Sequence, residues 1–411
     1  MIPTLRSSKA WATALSVSFL SSLGVLWLGS PMRRAFALGF VYLAYVACGG
    51  SGARPEPVLV AEPAPSVSAP PPLASGDSSQ AEPAAAPSAG QAAPKKAPEK
   101  PQKIANKSSA EGDDEACPEG MQLVDGEYCT KVEHKCIKQW HDKSNNKDVC
   151  EEFEPKSTCV GQKVKKRFCM DTYTWPNEKG ARSEVMNRFH QAQVKCAAVG
   201  KRMCTESEWT MACEGPDMLP FPYGYVRDTN KCHGDMEWDS PDMKKVAARD
   251  PAELARLWKG VPNGSQPECV SPYGVADLPG NTDEVVQSES FNEPGFKGKY
   301  DSIHSGGPWY KGVRNQCRPK IYTHDEGFYY YFLGFRCCAE ADGKPTEPLT
   351  AKQRKENWKW ERVERTAGFT VAEMKEALEK KKQGKCTCAD KDTRCKTMCG
   401  TLLGPSAKDA K

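Results

Sequence analysis

Four cysteines sit close together near the C-terminus, Cys386, Cys388, Cys395 and Cys399, within "CTCADKDTRCKTMC". Four thiolates so grouped could hold zinc. In an exported chain they would form two disulfides instead, and mass measurement with and without reductant separates the two readings. A second pair frames "GKRMCTESEWTMAC", residues Gly200–Cys213. Across its helix, Cys204 and Cys213 stand about 12 Å or more apart, at ~1.5 Å of rise per residue. A disulfide needs Cα atoms within roughly 7 Å. They therefore do not pair with each other: each finds a partner elsewhere, or neither is oxidised. His324-Asp325-Glu326 offers metal-binding atoms, although a surface polar turn is the commoner meaning. The six histidines are scattered, and no nucleophile-elbow, phosphate-loop or kinase motif is present.

Nineteen cysteines in 411 residues point to an oxidising compartment. With Cys48 set aside they fall into three even groups: six from Cys117 to Cys169, eight from Cys196 to Cys338, four at the end. That is the signature of a disulfide framework. Connectivity does not follow from sequence. Short spacing suggests Cys117–Cys129, Cys196–Cys204 across the turn at Gly200, and Cys213–Cys232. Adjacent Cys337 and Cys338 are expected to take different partners, one of them Cys317. A net charge of only +4 implies no strong field for nucleic acid or membrane.

These groups need elements to carry them. Residues 1–48 read as an export signal, written twice. "MRRAFALGFVYLAYVACGG" (32–50) has Arg33 and Arg34, an apolar run, then small residues before Cys48. That ending resembles the bacterial lipobox, with Tyr45 where leucine is usual. The expectation is translation from Met32 and lipidation of Cys48; the alternative is a long uncleaved anchor. Residues 49–115 are rich in Pro, Ala, Ser and Glu, without apolar periodicity. Such a stretch cannot offset its ordering entropy, and reads as a disordered tether. Order is expected over 116–341. Within it Thr205 and Glu208 form a capping box, with Trp209 and Ala212 on one face. A C-terminal tail, 342–411, is read as separate. It carries a second capping box at Thr370 and Glu373, an apolar face of Val371, Met374 and Leu378, and a stop at Gly384. Trp358 and Trp360 are expected to pack on the main domain.

Five stretches carry a resemblance. "GKRMCTESEWTMACEG" resembles G-K-R-L-P-T-E-A-E-W-E-x-A-A-R-G of the formylglycine-generating enzyme family, the sulfatase-modifying factors. "FPYG" (221–224) resembles Y-P-W-G. "SPYGVADLPGNTDEVV" (271–286) resembles N-x-Y-G-L-Y-D-M-x-G-N-V-W-E-W-V. "SGGPW" (305–309) and "LGFRCC" (333–338) resemble R-G-G-S-W and G-F-R-C. The resemblance covers roughly residues 117–341. It implies an α+β, irregular, loop-rich fold like that of C-type lectins, here with many disulfides. Cys204 stands at the family's proline and Cys213 at an alanine, as staples.

The resemblance also implies chemistry to look for. Family enzymes oxidise a sulfatase cysteine to an aldehyde with oxygen and copper(I), held by two thiolates between R-G-G-S and G-F-R-C. Soft thiolates suit copper(I). Here that interval holds only Cys317; the family cysteines fall on Lys311 and Gln316. Copper is therefore not expected, and Cys317 is a weak catalytic candidate. Calcium is the metal the family loop implies, through the side chains of Asp277 and Glu284 and the carbonyls of Gly280 and Thr282, hard donors suited to Ca²⁺. The competing meaning is that the two acids only cap turns. At a second family site His233 replaces an asparagine. The expected function is a lipid-anchored envelope protein (periplasm or outer membrane). Its domain would be a non-catalytic module holding an envelope protein or glycan, reaching the membrane only through its anchor. Trp309, Tyr310 and Phe328–Phe332 are candidate contacts. The alternative is an oxidoreductase making formylglycine, or a related modification, on an exported sulfatase with an altered metal site.

Overall fold

The structure, a computed structural model, describes residues 116–143, 146–289, 299–310, 312–343 and 360–404. The expected signal, Cys48 and the tether lie outside the described residues, as do Lys311 and Trp358.

The first half is strand-rich. β1 (Met121–Cys129) leads into a long hairpin, β2 (Val132–Asp142) and β3 (Lys147–Cys159), and then β4 (Lys163–Asp171). The centre is mixed: α1 (Phe189–Ala198), β5 (Arg202–Met203), α2 (Glu206–Glu214), α3 (Met243–Ala247), α4 (Pro251–Leu257), β6 (Asp283–Gln287) and β7 (Ser302–Ser305). Three short strands follow, β8 (Lys320–Ile321), β9 (Leu333–Gly334) and β10 (Cys337–Glu340), then helices α5 (Trp360–Ala367), α6 (Val371–Lys382) and α7 (Thr393–Cys399). Three sheets result: β1-β4-β10-β5, the hairpin β2-β3, and β8-β7-β6-β9, in which only β6 and β9 run parallel.

β10 organises the interior. Successive strand residues face opposite sides of a sheet, so Cys337 and Cys338 point apart. Cys337 joins the core of Trp175, Phe189, Cys196, Trp309 and Phe335. Cys338 joins the core of Phe168, Met170, Cys204, Trp209 and Cys317. The bridges follow: Cys196–Cys337 ties α1 to one face, and Cys204–Cys338 ties the entry of α2 to the other. Expectation and structure agree that the neighbours part, but not on the short-range pairs. Cys117 bonds Cys169, Cys129 bonds Cys159, Cys213 bonds Cys317, and Cys232 bonds Cys269. Short spacing failed because the sheet registers, not loop length, bring thiols together. Cys129 ends β1 while Cys159 ends β3, and both flank the turns that join these strands to their neighbours. Cys136–Cys150 closes the hairpin, and the last four cysteines pair as Cys386–Cys399 and Cys388–Cys395.

The helices start where side chains predict. Thr205 accepts from Glu208 N, and Glu208 accepts from Thr205 N at 2.8 Å. Trp209 and Ala212 are buried. The box at Thr370 and Glu373 repeats this, and Gly384 follows the end of α6 at a φ of 67°.

The C-terminal helices do not stand apart. Val194 and Ala198 on α1 pack against Val363, Ala367, Phe369 and Met374, while Leu402 and Leu403 enter the larger core. Lys381 on α6 reaches Glu184 at 3.2 Å, an acid that Lys195 on α1 already holds at 2.6 Å. Arg249 donates to Thr397 on α7 at 3.0 Å. The outer face of α1 is apolar, and covering it is the physical reason for the attachment. Trp360 is 36% exposed, while Val363, a turn later, is buried in this cluster.

Candidate functional site

The segments singled out in the sequence converge around β6. Glu284 on that strand is 1% exposed and Arg336, just before β10, is fully buried. Arg336 donates Nε to Glu284 Oε2 at 2.8 Å and Nη2 to Oε1 at 2.9 Å. Trp209 Nε1 adds a third bond, 2.7 Å to Oε2, and Thr174 Oγ1 a fourth, 2.8 Å to Oε1. The remaining guanidinium hydrogens go to the carbonyls of Asp171, Thr172 and Ala276. A buried ion pair is tolerable only when all its donors and acceptors are met in this way. The pair therefore joins three of the resembling stretches: the tryptophan of α2, the acid of β6 and the arginine before β10.

This arrangement bears directly on calcium. Both oxygens of Glu284 carry two hydrogen bonds each, so no lone pair is left for a cation. A calcium ion there would displace the guanidinium. Asp277 is elsewhere engaged: its Oδ2 accepts from Gly264 N at 2.8 Å, and burial pushes its carboxyl up to about 6. Gly280 donates its N–H to Gly306 O at 3.1 Å. A side chain at Gly280 would meet His233 O at 2.6 Å, and its φ is 98°. Thr282 keeps a buried hydroxyl without a hydrogen-bond partner. His233 donates Nε2–H to Lys259 O at 2.7 Å. With Glu284 spent on Arg336 and Asp277 accepting from Gly264, the side chains present do not fit that calcium site.

Copper fares no better. Cys317 is bridged to Cys213 at the end of α2, with Cα atoms 5.5 Å apart and both residues fully buried. The expected partners Cys337 and Cys338 are taken from the far side by α1 and by the loop before α2. Gln316, at one expected thiolate position, is 9% exposed and carries no sulfur. Among the described residues every cysteine lies in a disulfide, so the residues present do not fit a copper(I) bis-thiolate.

One constellation escaped the sequence reading. His304 on β7 and His324 stack with ring centres 5.1 Å apart, and Phe328 stacks on His324 at 3.8 Å. Asp283 on β6 lies beneath, 3.8 Å from His304 Nδ1, and accepts from Arg314 at 2.6 Å. Burial holds His304 well below the usual imidazole range and pushes the Asp283 carboxyl up. The cluster is thus a neutral imidazole stack over an acid neutralised by arginine. Twenty residues separate the histidines, and no spacing rule joins them. His324-Asp325-Glu326 forms no shared metal cluster. His324 stacks, Asp325 caps Gly327 N at 2.9 Å, and Glu326 accepts from Asp301 N.

The stretches that meet at the Glu284–Arg336 ion pair, α2, β6 and Arg336 before β10, all lie within one segment that matches a family model. Residues 163–341 match the family model described as "Sulfatase-modifying factor enzyme 1-like domain". The matched segment begins at β4, which pairs with β1 in one sheet. β1 and the β2-β3 hairpin precede the matched segment, and α5–α7 follow it. Solved structures similar to this chain include PvdO from Pseudomonas aeruginosa, 16% identical, covering 54% of this chain and 94% of that one at a TM-score of 0.29. CarF is 11% identical over 55% and 98%, with a TM-score of 0.33. Treponema denticola variable protein 1 is 13% identical over 53% and 99%, with a TM-score of 0.29. No curated protein matches. No helix among the described residues is long and apolar enough to cross a membrane.

Proposed function

We propose that the sulfatase-modifying-factor-like domain is a non-catalytic binding module of an exported, lipid-anchored protein. The observation that carries this is the Cys213–Cys317 bridge, which removes the single cysteine of the copper interval from chemistry. The dense bridging supports an oxidising compartment.

The candidate aromatics divide. Trp309, Tyr331 and Phe332 are buried and serve the core. Exposed instead are Met236 (40%), Trp238 (55%) and Met243 (56%). Met236 N donates to Trp309 O at 2.9 Å and Tyr330 reaches Met243 Sδ at 3.4 Å, so both methionines rest on one aromatic cluster. Methionine and aromatic side chains are enriched where proteins meet, so we assign this face to an envelope polypeptide rather than a glycan.

Catalysis is tested by incubating the purified chain with copper, oxygen, a thiol reductant and a C-x-P-x-R sulfatase peptide. The expected result is no conversion of cysteine to aldehyde by mass. Turnover that disappears in Cys317→Ser would establish the oxidoreductase alternative. The anchor is tested separately: Cys48→Ser should leave an unlipidated precursor. A native protein without a lipid adduct at residue 48 would end that part of the reading.

A further inference from the structure

The nine disulfides are not equivalent. In the core, Cys196–Cys337, Cys204–Cys338 and Cys213–Cys317 have both residues fully buried. Three more, and Cys386–Cys399, have at least one residue buried, as Cys232–Cys269 has both. Cys388–Cys395 alone has neither. It also closes the shortest loop, a separation of 7, so chain entropy defends it least. Lys391, Arg394 and Lys396 stand near Cys395 in sequence with Asp390 and Asp392 among them, and Asp392 accepts from Cys395 N at 2.9 Å. Exchange needs access for the attacking thiolate, and this bridge is the one whose two cysteines are both partly exposed.

A second bridge lies within reach. Cys388 Sγ is 3.5 Å from Cys399 Sγ, and Cys395 Sγ is 3.9 Å from the same atom. Cys399 is itself bonded to Cys386. Two disulfides in van der Waals contact form a relay: a thiolate released from one is already against the other.

From this we infer that the C-terminal cysteine pairs form a thiol–disulfide exchange site that oxidises a cysteine pair of another polypeptide in the same compartment. The substrate thiolate attacks Cys395 Sγ, the bond to Cys388 breaks, and Cys388 leaves as thiolate. Cys388 attacks Cys399 Sγ, the Cys386–Cys399 bond breaks, and Cys386 leaves with a proton. The second substrate thiolate attacks its own neighbour's sulfur in the mixed disulfide, and Cys395 leaves with the other proton. Two substrate thiols become one disulfide. Two bridges of this chain become one, Cys388–Cys399, and two thiols, Cys386 and Cys395. Electrons and protons balance without a further oxidant. Exchange follows thiolate attack of this kind.

The test mixes the full chain with limiting amounts of a reduced Cys-x-x-Cys peptide, quenches with an alkylating agent and maps the sites by mass. The expected result is oxidised peptide, alkylation at Cys386 and Cys395, a new Cys388–Cys399 bridge and seven untouched bridges. In the Cys386→Ser, Cys399→Ser variant, alkylation should move from Cys386 to Cys388. Three results would overturn the inference. They are another bridge opening first, alkylation at Cys388 in the unaltered chain, or all nine bridges persisting while the peptide stays reduced. Each is read on the unaltered chain, so a variant that fails to fold leaves the test decisive. These outcomes are independent of whether the aldehyde assay succeeds.

Discussion

Glu284→Gln is expected to lower the unfolding free energy by about 3–5 kcal/mol, the cost of leaving one member of a buried ion pair uncompensated. Glutamine preserves the shape of the side chain and can still accept from Trp209. It cannot neutralise Arg336, which has no water to fall back on because it is fully buried. The measurement is urea unfolding at fixed pH, compared with Arg336→Met and with the double variant. The double variant should be less destabilised than the two single changes summed, since neither then strands a charge. A loss below about 1 kcal/mol in Glu284→Gln, the scale of an exposed pair, would mean the pair is not the keystone described above.

Asp277→Asn should act in the opposite direction, and only above a certain pH. The folded carboxyl is pushed from 3.8 to about 6, chiefly by burial. Between those values the unfolded chain has released its proton while the folded chain keeps it. The folded state is therefore progressively disfavoured as pH rises from about 4 to 6, and the penalty is complete above that. A shift of this size corresponds to about 3 kcal/mol. Asparagine avoids the penalty, can still accept from Gly264 N, and tolerates the φ of 61° at this position. The variant should thus be more stable at pH 7.5 by up to about 3 kcal/mol, with the gain vanishing near pH 4. Thermal unfolding across pH decides it. If Asp277 instead bound calcium through its carboxylate, asparagine would lower the melting temperature in millimolar Ca²⁺, contrary to this expectation.

Much of the fold was legible because its signals are local. A capping box places Thr205 and Glu208 three residues apart, and the same turn puts Trp209 on the buried face. The even grouping of cysteines also survives in the structure, since every bridge closes within its own group. Partners within groups did not follow, because Cys213 and Cys317 are 104 residues apart and meet only after the sheets form. The same reason hid His304 over Asp283. Asp277 and Glu284 were found by pattern, yet their roles were not. A carboxylate looks the same in sequence whether it faces a cation or a guanidinium, and Arg336 lies 52 residues away.

The placement of β10 near the end of the matched segment has a consequence in time. A chain that emerges N-terminus first delivers both halves of the three strand bridges once residue 169 has appeared. Cys196, Cys204 and Cys213 arrive next and must wait until residues 317–338 are delivered. Meanwhile three thiols travel unpartnered beside Cys232 and Cys269, which can bond each other first. The early hairpin is thus locked before the core exists, and the core is sealed by its last strand.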